Sequence, residues 1–120
     1  MNNSVELLKN GGFYSVFGES CYIMLYLFNY KIKDNRVGFP KSVYDKVINK
    51  LESLNINYSD PISGVKKDFK RKNQYNKFVN KGKDKFSIVN RVNNIVDKLD
   101  SLSEDKLDNI LKYIEGIINE

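Results

Sequence analysis

The chain has no histidine, alanine, threonine or tryptophan, a single cysteine and only two prolines. Lack of histidine removes the commonest general base near neutral pH and the commonest metal ligand. The lone Cys21 has no intrachain disulfide partner and sits in an apolar run, where a buried, inert thiol in a reducing compartment is expected. That run, from Cys21 to Phe28, is the longest apolar stretch and falls far short of the ~20 residues that span a bilayer. The N-terminal segment Met1-Asn2-Asn3-Ser4-Val5-Glu6 lacks the basic and apolar regions of a secretory signal, so a cytoplasmic chain is expected. No glycine- and lysine-rich phosphate loop occurs either. These absences give the expectation of a non-catalytic protein with no cofactor and no metal.

What is present describes one folded protein of ordinary composition. At 120 residues, with 41% hydrophobic and 29% charged side chains, the chain can bury a core without disulfide or metal support. Lysine, asparagine, isoleucine, tyrosine and phenylalanine are abundant, as expected of a coding sequence poor in G and C, a bias that would account for some of the basicity. The net charge of +5 is unevenly placed. Residues 1–65 carry seven basic and six acidic groups, residues 66–85 nine and two, and residues 86–120 four and seven. The excess is one patch in the middle of the chain, the kind of asymmetry that points to a polyanionic partner.

Periodicity predicts a mixed α/β (α+β) fold with a small mixed sheet and packed helices. Residues 12–17 alternate as a strand, and a helix begins at Glu19-Ser20 and runs to Phe28 or Asn29, apolar nearly all round and therefore buried on most sides. Residues 30–39 read as two strand pieces around an Asp34-Asn35 turn. After Pro40, Ser42 is the expected N-cap of a helix that carries Tyr44, Val47, Ile48, Leu51 and Leu54 at helical spacing. Ile56–Tyr58 reads as a further strand before an Asp60-Pro61 turn. The basic stretch reads as one exposed helix with Gly82 as a breaker. From Phe86 onward two amphipathic helices follow, the second capped by Ser101 or Ser103, and form an αα-hairpin in which each helix covers the other's apolar stripe. The expected organisation is a module at 1–64, a basic segment at 65–85 and a helical hairpin at 86–120 packing on or beside the module.

Three features of residues 11–58 occur together in a known order. They are Gly11-Gly12-Phe13-Tyr14-Ser15-Val16-Phe17, then Glu19-Ser20-Cys21 opening the apolar helix, then Val37-Gly38-Phe39-Pro40 before the helix that holds Leu51. In order and spacing they resemble domain I, the mismatch-recognition domain, of MutS DNA mismatch-repair proteins. The resemblance covers about half the chain and implies that domain's α/β fold, with Phe13 in the place of the family's base-stacking phenylalanine. Ser15 stands where the family has glutamate and Gly12 where it has aspartate. The short serine hydroxyl cannot replace the glutamate contact, so the resemblance implies a fold and a stacking position without mismatch reading, and fold does not fix function.

Two groups of side chains follow as candidate sites. Phe13, Tyr14 and Ser15 form a potential stacking site at a strand end, although alternation can equally place an aromatic in the core. Lys66, Lys67, Lys70, Arg71, Lys72, Lys77 and Lys81, interleaved with Phe69, Tyr75 and Phe78, suit phosphate contacts with occasional base stacking, or simply a solvated surface. Asp60 with Asp68-x-Lys70 has the residue types of a Mg²⁺ site but no strand pattern to hold them. The expected function is a small accessory protein that binds nucleic acid or a nucleoprotein complex through a lysine-rich face. The alternative is a protein-binding adaptor or inhibitor of the kind a phage or mobile element encodes against a host protein, for example a defence protein.

Overall fold

The computed structural model describes residues 3–119, and the chain divides into two compact units, Met1–Phe86 and Ser87–Glu120. The fold is mixed α+β. The first unit contains strands β1 (Val5–Glu6), β2 (Leu8–Asn10), β3 (Phe13–Phe17), β4 (Arg36–Pro40), β5 (Tyr58–Asp60) and β6 (Val65–Lys67). Helices α1 (Ser20–Phe28) and α2 (Tyr44–Ser53) and the start of α3 (Tyr75–Leu99) complete it. The expected single mixed sheet is in fact two three-stranded sheets. One is antiparallel, in the order β2-β3-β4; the other is mixed, with β5 between a parallel β1 and an antiparallel β6.

Local chemistry explains the antiparallel sheet. Gly11 at φ +62° and Gly12 turn β2 back into β3, pairing Asn10 with Phe13. Asp34 and Asn35, both at positive φ, make the two-residue turn that leads into β4 and sets Phe17 opposite Arg36. Alternation along β3 and β4 sends Tyr14, Val16, Val37 and Phe39 into the core and leaves Phe13, Phe17 and Arg36 on the outer face. Helix α1 covers the inner face through Cys21, Ile23, Met24 and Leu25, and ends on Asn29, whose left-handed backbone returns an N–H to the Leu25 carbonyl at 3.0 Å. The Cys21 thiol donates to the Val16 carbonyl at 3.2 Å, and burial raises its pKa. Ser42 does not cap α2: Lys41–Val43 forms a 3-10 turn, Tyr44 opens the helix, and Val47 and Leu51 are its buried positions.

The expected boundary at residue 64 does not exist. β6 pairs with β5, and Tyr75, Phe78 and Val79 of α3 belong to the same core as Val16, Ile23 and Leu51. Gly82 is not a breaker; it lies buried inside α3, where a Cβ would overlap the Tyr22 backbone of α1. A close helix–helix approach therefore replaces the sequence's conformational reason for a glycine with a steric one. Ile56 is buried but precedes the strand, which runs two residues later than expected, over Tyr58–Asp60.

The second unit holds the rest of α3 and helix α4 (Glu104–Ile118), joined through residues 100–103. Ser103 stands at the N-cap position without a side-chain cap bond, its carbonyl accepting from Leu107 N–H at 2.9 Å. The helices cover each other's stripes less than expected, and only beside the turn. Among residues 87–119 none is buried; the turn-flanking Leu99, Leu102, Leu107 and Ile110 are half-buried. No described helix is long and apolar enough to cross a membrane.

Candidate nucleic-acid interface

Residues 65–85 are anchored to the first unit from end to end, so their cations project from an ordered scaffold. β6 puts Lys66 and Lys67 on an exposed sheet edge. Asp68 then organises a tight turn: its Oδ1 accepts from the Lys70 backbone N–H at 2.9 Å and from Asn57 Nδ2 at 3.1 Å, and its Oδ2 lies 3.4 Å from Lys70 Nζ. The Lys70 N–H, ahead of its ammonium, holds the Asp68 carboxyl below its ordinary pKa. Lys70 adopts φ 57°, a left-handed conformation that a lysine takes only when its neighbours enforce it. The 3-10 turn that follows displays Lys70, Arg71 and Lys72 consecutively in solvent.

Asn73 ties that turn down. Its Oδ1 accepts from Asn57 N–H at 3.0 Å and Tyr75 N–H at 3.1 Å, and its Nδ2 donates to the Asn3 carbonyl at 2.7 Å. Along α3, Lys77, Lys81 and Lys85 recur every four residues on one helix face. Lys77 Nζ lies 5.8 Å from the Phe78 ring centroid and Lys81 Nζ 5.6 Å from that of Tyr26. Lys85 donates to the Leu25 carbonyl at 3.2 Å and to the Asn29 side chain, so it caps the C-terminus of α1. Stems lie on aromatic surface while the charged ends stay wet. Among the described residues, Lys70 with Asp68 is the only ion pair that any of the nine cations makes.

The candidate trio on β3 separates. Phe13 is 56% exposed on the outer face of the antiparallel sheet. Tyr14 is in the core, stacked on Tyr44 at 4.6 Å between centroids, with its hydroxyl donating to Asp60 Oδ2 at 3.4 Å. It has no surface to offer a ligand. Ser15 is also covered, its Oγ accepting from Arg36 Nε at 3.1 Å. Two residues outside the expected site share the outer face with Phe13: Phe17, 49% exposed and already related to Phe13 by alternation, and Arg36, paired with Phe17 across the ladder. Opposite Ser15 lies Gly38, whose missing side chain leaves a shallow floor lined also by Lys31, Lys33 and Asp34. Phe13, Phe17 and Arg36 thus share the outer face, and Arg36 also lines the shallow floor with Lys31, Lys33 and Asp34.

That surface and the lysines of α3 are not brought together. The inner face of the antiparallel sheet packs on α1, and α1 packs on α3 through Tyr22 with Phe86 and Tyr26 with Phe78. Phe13, on the outer face, therefore points away from the helical layer. The acidic pair has its own engagements. Asp60 is buried and accepts from Tyr44 Oη at 2.9 Å and from the Ile62 and Ser63 N–H groups at 3.2 Å, while Asp68 holds the basic turn. Burial alone would raise the Asp60 pKa, but these donors outweigh it and keep the carboxyl below its ordinary value. Among the described residues no group of three potential metal ligands occurs.

No protein-family model matches the chain, and no curated protein or solved structure matches it.

Proposed function

We propose that the protein is a small, non-catalytic, nucleic-acid-binding accessory that holds the phosphate backbone through Lys66, Lys67, Lys70, Arg71, Lys72, Lys77 and Lys81. The observation that carries this reading is the near absence of internal pairing: nine cations lie within twenty residues, and one of them has a carboxylate partner among the described residues. Charge held at fixed positions and left unpaired is available to release counterions from a polyanion. Lysine dominates the stretch, with Arg71 its one guanidinium, which favours backbone contact over reading of base edges.

The outer face of the antiparallel sheet supplies a second element of the same proposal. Phe13 and Phe17 offer ring surface to unpaired bases, and Arg36, Lys31 and Lys33 attract the adjoining phosphates. In this reading the likeness to domain I of MutS proteins is one of fold and of the Phe13 position, with Ser15 turned to holding Arg36. The test is an anisotropy titration with single-stranded and duplex oligonucleotides at two salt concentrations. Binding that weakens steeply with salt, with Phe13→Ala affecting single strands more than duplex, is expected. Failure to bind any oligonucleotide at low salt overturns the proposal and leaves the protein-binding adaptor reading in its place.

A further inference from the structure

The second unit, Ser87–Glu120, poses a stability problem that points to its partner. It spans fewer than ~40 residues, the size below which a fold usually needs a disulfide, a metal or association. It contains no cysteine or histidine, and the described residues hold no group of three potential metal ligands. None of its described residues is buried. Nine aliphatic side chains stand exposed on its two helices, among them Ile88, Val92 and Ile95 on α3 and Ile114, Ile117 and Ile118 on α4. Association offers such a unit a route to a core.

We propose that a second copy of this chain covers that surface, so that two α3–α4 pairs form a two-fold symmetric four-helix bundle. The width of the stripe is the first argument. Both helices carry apolar residues at i, i+3 and i+4, as in Val92, Ile95, Val96 and Leu107, Ile110, Leu111. Three positions per heptad is the pattern of a helix with two helical neighbours in a bundle, wider than the two-position seam that one neighbour needs. A hairpin supplies one neighbour, and a second hairpin supplies the other.

Area and charge then favour a copy of the same chain. An aliphatic side chain carries ~60–120 Å² of apolar surface, so nine that are about half exposed offer ~250–550 Å². With the roughly one-third of polar surface found in homodimer interfaces the patch becomes ~400–850 Å², a range that includes the ~800 Å² per partner of a stable complex. Between Ser87 and Leu99 the charged residues are Arg91, Asp97 and Lys98, whereas α4 carries four acidic and two basic groups. The surface is therefore complementary to itself when each α3 faces the other copy's α4, as a closed two-fold interface requires.

Sedimentation equilibrium of the full chain over a wide dilution range tests this. The expected result is a reversible species of twice the 14.0 kDa chain mass. The double variant Ile95→Lys with Ile114→Lys should sediment as a monomer, with the near-ultraviolet dichroism of the first unit's tyrosines retained. Should that variant lose the tyrosine signal, Ile95→Ala with Ile114→Ala replaces it, read as at least a tenfold weaker dimer. A wild-type monomer at every concentration, an assembly larger than two, or lysine variants that stay dimeric would each overturn the proposal. None of these outcomes bears on nucleic-acid binding, which is read separately.

Discussion

Gly82 of α3 lies against the backbone of Tyr22 in α1 so closely that a β-carbon would overlap the Tyr22 carbonyl. This contact fastens the lysine-bearing helix to the core beneath it, with Tyr75 donating to or accepting from Ser20 Oγ at 2.7 Å one end further along.

Gly82→Ala is expected to destabilise the protein although alanine is the better helix former by ~1 kcal/mol. Forced displacement of packed helices costs ~1–3 kcal/mol beyond that gain, which lowers the melting temperature by several degrees. Gly116, with open space around its Cβ position in α4, is the control: Gly116→Ala should leave stability unchanged or raise it by up to ~1 kcal/mol. Thermal melts of the two variants check the pair, and equal effects would contradict the close approach.

Asp60→Asn should cost about 2–4 kcal/mol, because a buried carboxylate that accepts from Tyr44, Ile62 and Ser63 is replaced by a neutral amide. The wild-type carboxyl titrates lower in the fold than unfolded. Its contribution is therefore present above the unfolded value of ~3.9 and is lost as pH falls through the lower folded one. Denaturation midpoints between neutral pH and pH ~3 should fall less steeply in the variant than in the wild type.

The tyrosines act at the other end of the scale. Burial first, then the Asp60 carboxylate, pushes Tyr44 up to about 12, and burial also raises Tyr14, Tyr58 and Tyr75. Groups with raised folded pKa values stabilise fully below their unfolded value of ~10 and lose that contribution as pH climbs through the folded one. Chemical denaturation should show constant stability from neutral pH to ~10 and a steep loss above it, shallower in Tyr44→Phe. A flat profile through pH 12 would contradict the burial of these hydroxyls.

The sequence was legible where one local signal acted alone. Alternation gave β3, the unbroken apolar run gave α1, Asp34-Asn35 gave a turn that fixes φ at both positions, and helical spacing gave α2. β1, β2 and β6 span two or three residues, too few for alternation to register. In the lysine-rich stretch, charge masked the spacing of Tyr75, Phe78, Val79 and Gly82, which is the buried face of α3. Propensity marked Gly82 as an interruption because the requirement it meets is a contact with a residue sixty positions earlier. The outer sheet face was half legible: alternation alone relates Phe17 to Phe13, but Arg36 joins them only through the β3–β4 register.

Exposure of Phe13 makes its role separable from stability. Phe13→Ala should leave the melting temperature within a degree or two of wild type, since an exposed side chain fills no cavity, and should weaken single-strand binding by ~1–3 kcal/mol. A large loss of stability would instead assign Phe13 to the core.

Under the proposed function the position of the charge, rather than its amount, governs binding, and one comparison of salt slopes tests this. Lys70, Arg71, Lys72 and Lys77 are replaced by glutamine in one protein, and the exposed Lys9, Lys46, Lys50 and Lys106 in another, so that both lose four positive charges. The first variant should lose nearly all oligonucleotide binding, with any residual slope of log affinity against log salt reduced by ~3–4, whereas the second should keep most of the wild-type slope. Equal losses in the two proteins would show that net charge alone drives association and would contradict a binding face built by residues 66–81.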